Sequence, residues 1–81
     1  MKILWDEPKR QSNIAKHDLD FADLTDEFFE AATIKPVHSD REMAVGELKG
    51  VKIVAVIYKT LGSEAVSVIS MRPASKKERD R

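Results

Sequence analysis

The spacing of apolar positions changes several times along the chain, and each change marks an element. Lys2 to Trp5 (KILW) is too short for a helix and reads as an opening strand. Asp6, Glu7 and Pro8 then supply an N-cap, an acidic first turn and a first-turn proline, which predicts a helix from Glu7 to about His17. This helix carries little oil: between Lys9 and His17 only Ile14 and Ala15 are apolar. Such a helix is either a solvated spacer or a surface that touches something. "HDLDF" breaks it, with Asp18 suited to a left-handed cap. Asp20 reads as the next N-cap, with Asp23 three residues on as its capping-box partner. A second helix is predicted from 21 to about 32, with Phe21, Leu24, Phe28, Ala31 and Ala32 on one face and Asp23, Asp26, Glu27 and Glu30 on the other. The Phe stripe reads as core and the acidic face as solvated.

"TIKPVHSDRE" connects this helix to the C-terminal half of the chain, with a short edge strand near Ile34; Pro36 argues against a central one. Three strands are predicted next, at 42–48, 51–60 and 65–71. "KG" and "LGSE" between them are short Gly-containing turns, which makes the three an antiparallel meander. The middle strand, VKIVAVIY, is nearly all apolar, as a strand covered on both faces must be. Ser75, with Glu78 at its N3 position, caps a last helix. The expected order is β-α-α-β-β-β-α in a single domain over 1–81. Its class is α+β, an antiparallel sheet with helices packed on one face.

Composition narrows the functional classes. With no cysteine among 81 residues, neither disulfides nor a thiolate metal site can staple the fold, which suits a reducing cytoplasm. The apolar run in MKILWDEPKR is too short for a signal peptide, and the longest run, 53–58, is of strand length. The expectation is a cytoplasmic protein with no membrane association. A net charge of zero hides an asymmetry. Residues 1–40 hold 5 Lys/Arg against 9 Asp/Glu, and residues 41–81 hold 9 against 5. Asp18 to Glu30 contains six carboxylates and no cation, whereas the end from Arg72 to Arg81 is basic. A local field of this kind admits a polyanionic partner despite the neutral total.

On the first predicted helix, Lys9, Asn13 and Lys16 share one stripe, and Arg10 and His17 share the next with Ile14. Such a face can meet a phosphate backbone; periodicity by itself favours an ordinary solvated face. His17 and His38, twenty-one residues apart with no carboxylate at a ligand spacing, make no metal site. There is no Gly-rich phosphate loop and no nucleophilic Ser motif. The remaining inventory lies on the predicted sheet: Arg41 before the meander, Tyr58 in its central strand and Arg72 at the end of the last. If Lys16 or His17 packs over that end of the sheet, the groups suit metal-free RNA cleavage. One group takes the proton of a ribose 2′-OH, a second stabilises the charge on phosphorus, and a third protonates the leaving 5′ oxygen. His17 carries an imidazole and is the candidate base or acid. Arg41 and Arg72 suit the phosphate oxygens, and Lys16 or Tyr58 can assist.

At these residues the chain resembles the BrnT toxins. Trp5, Asp6, Lys9, Asn13, Lys16, His17, Phe21 and Phe29 fall on that family's opening W-D-x-x-K-x-x-x-N-x-x-K-H block and its continuation. "DREMAVGEL" is similar to its E-R-x-x-x-I-G stretch through Arg41 and Gly46. The ending is similar through Tyr58, Gly62, Ile69, Ser70, Arg72, Ala74, Glu78 and Arg79. The resemblance implies a RelE-like fold and a ribonuclease toxin of a type II toxin–antitoxin system. It implies a BrnA-like antitoxin of ribbon-helix-helix type as partner, with operator DNA bound only through that antitoxin, in a hetero-oligomer. The site it suggests is Lys16, His17, Arg41, Tyr58 and Arg72 at the scissile phosphate. Lys9, Arg10, Asn13, Lys76, Lys77 and Arg79 would hold the rest of the RNA, with no cofactor and no metal. Three positions depart from the family pattern: Asp18 stands in place of Gly, Glu42 replaces the usual aromatic or basic residue, and Pro73 replaces Lys. A toxin homologue that binds its partner without turnover is the alternative.

Overall fold

The computed structural model describes residues 1–80. The elements are β1 (Lys2–Trp5), α1 (Glu7–His17), a 3-10 turn (Phe21–Asp23), α2 (Asp26–Ala31), β2 (Thr33–Pro36), β3 (Glu42–Leu48), β4 (Lys52–Leu61), β5 (Ala65–Pro73) and α3 (Lys76–Arg79). The strands form one sheet in the order β1-β5-β4-β3-β2. The class is α+β, and β3-β4-β5 is the expected antiparallel meander. The short segment around Ile34 is a real strand, β2, and lies at the sheet's edge, where Pro36 has no ladder bond to spoil on its outer side.

The sheet is mixed, which corrects the purely antiparallel expectation. β1 pairs parallel to β5, with Lys2 opposite Ala65 and Trp5 opposite Val68. Nothing in a four-residue strand specifies its partner. A parallel neighbour needs a long crossover, and here the whole chain between β1 and β5 serves as one.

The second helix also differs from its prediction. The chain makes a 3-10 turn, straightens at Leu24 and Thr25, and only then enters α2. Two caps, five residues apart, explain the break. The Asp20 carboxylate accepts from the Ala22 N–H (2.9 Å), and the Thr25 hydroxyl accepts from the Phe28 N–H (3.2 Å). Each starts its own turn. Asp23 caps nothing and pairs instead with Lys49 at 3.1 Å. The break shifts the helical phase, so Ala31 is exposed and Phe29 packs edge-on against Tyr58 with ring centroids 5.1 Å apart.

The main core lies between the sheet and the segment from Leu19 to Ala32. Phe21, Leu24 and Phe28 meet Ala44, Val54, Val56, Tyr58, Val66, Val68 and Met71. The other sheet face carries a smaller cluster of Met43, Val45 and Ala55. Both faces of β4 are thus covered, as its apolar run requires. The helices are not all on one face. Glu78 of α3 reaches Arg72, whose register partner is Ala55 of the second cluster, so α3 serves the second face.

α1 has its predicted bounds, and Asp18 ends it in the left-handed conformation (φ 57°), its N–H donating to Ile14 O at 2.8 Å. Asp6 holds the extended N-cap backbone but makes no side-chain cap. The one residue α1 buries is polar, Asn13.

Candidate phosphate-binding flank

Asn13 explains how a helix with little oil is held. β1 stops at Val68's partner, so the second half of β5 has β4 on one side and no strand on the other. α1 takes that place. The Asn13 Oδ1 accepts from the buried Met71 N–H (3.0 Å), and its Nδ2 donates to Leu19 O (3.0 Å). Both halves of the amide are spent on the fold. Arg10 is similarly occupied, forked onto Asp20 (2.7 and 2.9 Å) with Glu7 beside it at 2.7 Å. Asp20's hydrogen bonds, then Glu7's, push the guanidinium pKa up, and Arg10 in turn lowers that of Asp20. Of the RNA-binding residues read from α1, Asn13 and Arg10 are therefore structural cross-links, and Lys9 is exposed.

The docked helix leaves a shallow groove against β5. Pro8, Lys9, Ser12, Asn13, Lys16 and His17 line one side, and Ile69 and Ser70 line the other. Ile69 is here because β5 bulges: Ile57 pairs with Ser70 and Tyr58 with Val68, which leaves Ile69 without an opposite number. His17 also borders a second groove, with Leu19, Lys52, Pro73, Ala74 and Arg79. Lys16, His17 and Arg79 thus lie along one flank of the sheet.

Arg72 lies two residues beyond Ser70, and both oppose residues of the second face, Ile57 and Ala55. Its Nη1 and Nη2 donate to the two carboxylate oxygens of Glu78 (2.8 and 2.9 Å), and Nη2 rests 3.9 Å from Met43 Sδ. Glu78 is held in place by its own capping box. The Ser75 N–H donates to Oε1 (2.8 Å), and Ser75 Oγ accepts from the Glu78 N–H (3.2 Å). Arg72, then the Ser75 backbone, hold the Glu78 carboxyl at a pKa of about 2.

The predicted site is not gathered into one cavity. Arg41 is exposed at the mouth of the β2–β3 hairpin, where its carbonyl accepts from the Val37 N–H. Tyr58 is 5% exposed in the main core, and burial, with Glu42 opposite it, pushes its phenol pKa up. The strand's continuous apolar run did not reveal which face Tyr58 would take. Lys76 and Lys77 are exposed on α3. The sequence reading missed Glu78 as a partner of Arg72; its only signal was the cap spacing Ser75-x-x-Glu78. Among the described residues no group of three or more His, Cys, Asp or Glu is placed to hold a metal. None of their helices is long and apolar enough to cross a membrane.

Fold and flank together define a small α+β protein whose cations gather where a polar helix replaces a missing strand. Comparison with known proteins gives that class its family. The family model described as "Ribonuclease toxin, BrnT, of type II toxin-antitoxin system" matches residues 5–78. The crystal structure of the Brucella abortus ribonuclease toxin BrnT is similar at 66% identity and a TM-score of 0.88, over 94% of this chain and 99% of that one. No curated protein matches the chain. The chain belongs to the BrnT ribonuclease toxin family of type II toxin–antitoxin systems.

Proposed function

We propose that this chain is a metal-independent RNA endonuclease working at the α1–β5 flank in the cytoplasm, where cutting RNA inhibits translation. The observation that carries the reading is the groove that sets Lys9, Lys16 and His17 beside Ser70, two residues from Arg72. Cations along such a groove suit the phosphates of a strand. In the reaction, a base takes the 2′-OH proton, O2′ attacks phosphorus, and the 5′ oxygen leaves with a proton from an acid. The products are a 2′,3′-cyclic phosphate and a 5′-OH. His17 and Lys16 are the proton-handling side chains on the flank, and Arg72 takes the charge on the phosphate oxygens. Arg41, Lys76, Lys77 and Arg79 extend the cationic surface to the rest of the strand. Tyr58 packs its ring against Phe29 in the core, and its part in the site is that of an assisting phenol.

The fold is read as RelE-like, and the partner as a BrnA-like antitoxin of ribbon-helix-helix type that carries the operator-binding part. Charge supports such a partner, since the chain's acidic and basic ends offer complementary patches that speed encounter. The test is inducible expression in bacteria of the parent, Lys16→Ala and Arg72→Ala chains, following growth and total RNA together. Growth arrest with RNA loss in the parent alone is expected. Normal growth with soluble parent protein makes the chain a partner-binding relative and overturns the nuclease reading.

A further inference from the structure

The Arg72–Glu78 pair does something the reaction scheme leaves open. A guanidinium has two edges that can each take two oxygens: an end-on edge of Nη1 and Nη2, and a side-on edge of Nε and Nη2. Glu78 takes the end-on edge with both carboxylate oxygens. Among the described residues nothing accepts from Nε, and apart from Glu78 the Nη2 group meets only the thioether of Met43, at 3.9 Å. Exposure runs the same way, with the Arg72 side chain 40% exposed and that of Glu78 15% exposed. The carboxylate is the more buried member of the pair and the guanidinium the more exposed. Glu78 is in turn fixed by two bonds to Ser75, so the clamp is rigid at its base.

We propose that Glu78 is a positioning residue of the nuclease site: it grips Arg72 end-on and presents the side-on edge, Nε and Nη2, to two oxygens of the scissile phosphate. This rests on the reading of Arg72 as the phosphate-binding cation. It assigns a role to α3, whose four residues add little to the core. A long, part-exposed side chain otherwise samples many rotamers, and ordering it in advance removes that cost from the step in which charge develops. Holding by Glu78 differs from blocking by it. A latch would cover the edge that the phosphate needs, whereas here Nε is open among the described residues and a weakly held thioether is all that a phosphate oxygen has to displace at Nη2.

The experiment is steady-state cleavage of a defined single-stranded RNA by the purified full chain, with circular dichroism confirming the fold of each variant. The set is the parent, Arg72→Ala, Arg72→Lys, Glu78→Gln, Glu78→Ala and the double variant Arg72→Ala/Glu78→Ala. Glu78→Gln keeps the shape and loses the ionic grip, so kcat is expected to fall about tenfold or more with KM changed much less. Arg72→Lys keeps the charge without the second edge and is expected to lose at least as much. The double variant is expected to be no slower than Arg72→Ala, because Glu78 acts only through Arg72. Should Arg72→Ala be slow while Glu78→Gln keeps the parent kcat, the inference alone falls. A faster Glu78→Gln would show a latch, and additive losses in the double variant would show a separate role; either overturns it. An inactive parent, or a fully active Arg72→Ala, removes the nuclease reading and this inference with it.

Discussion

Asn13 is the residue that makes the molecule's flank possible. Its amide substitutes for the ladder bond that β1 is too short to supply, and it closes the chain reversal at Leu19 with its other half. Replacing it by Ala leaves a buried N–H at Met71 and a carbonyl at Leu19 unpaired. Asn13→Ala is expected to cost about 2–3 kcal/mol in urea unfolding, well above an exposed position on the same helix such as Gln11→Ala. Glu78 gives a prediction with a pH sign. Its folded pKa of about 2 lies below its ordinary value of 4.5. The stability it contributes is therefore complete above about pH 4.5 and is lost as pH falls toward 2. The urea midpoint should drop over that window in the parent and drop less in Glu78→Gln, compared by titration from pH 6 to pH 2.5. Legibility at this scale was uneven. Lys16 and Arg72 stood out by type and spacing. The partnership of Arg72 with Glu78 did not, because a cap signature says what a carboxylate does for its own helix and nothing of what its far oxygens touch.

At the scale of elements, α2 is set by what β3 lacks. A Cβ placed on Gly46 would come 3.2 Å from the Ala32 Cβ and 3.3 Å from Phe28 Cε1. That contact is tighter than side chains ordinarily make, so the glycine is what lets the end of α2 lie directly on the strand. Gly46→Ala should destabilise the fold by about 1–3 kcal/mol by overpacking, although alanine ordinarily stiffens a strand, and thermal unfolding will report it. The start of α2 hangs on Thr25; Thr25→Ala should cost about 1 kcal/mol. α1 and the meander were readable because their ends carry local chemistry: a proline in the first turn, a left-handed Asp18, short turns at Lys49–Gly50 and after Leu61. The break between the 3-10 turn and α2 was not, because Phe21, Leu24 and Phe28 satisfy a continuous helical stripe whether or not the helix is continuous. The parallel pairing of β1 was equally hidden, since four residues record neither direction nor partner.

At the scale of the whole molecule, zero net charge is a dipole. Carboxylates crowd the segment over the main core, and cations line the flank made by α1, the end of β5 and α3. Binding of an uncleavable 2′-O-methyl RNA strand should therefore weaken steeply with salt, and Lys9→Ala should flatten the slope of log affinity against log salt by about one phosphate contact. Fluorescence anisotropy from 50 to 300 mM salt measures it; a salt-independent affinity contradicts a cationic track. The proposed nuclease cleaves RNA at this flank with protein groups alone. The most direct measurement is cleavage of a single-stranded RNA by the purified chain in excess chelator, with the new ends identified, beside Lys16→Ala and Arg72→Ala. Undiminished cleavage by the parent, 2′,3′-cyclic phosphate and 5′-hydroxyl ends, and a large loss in both variants are expected. Cleavage abolished by the chelator, or both variants cutting at the parent's rate, would contradict the nuclease reading.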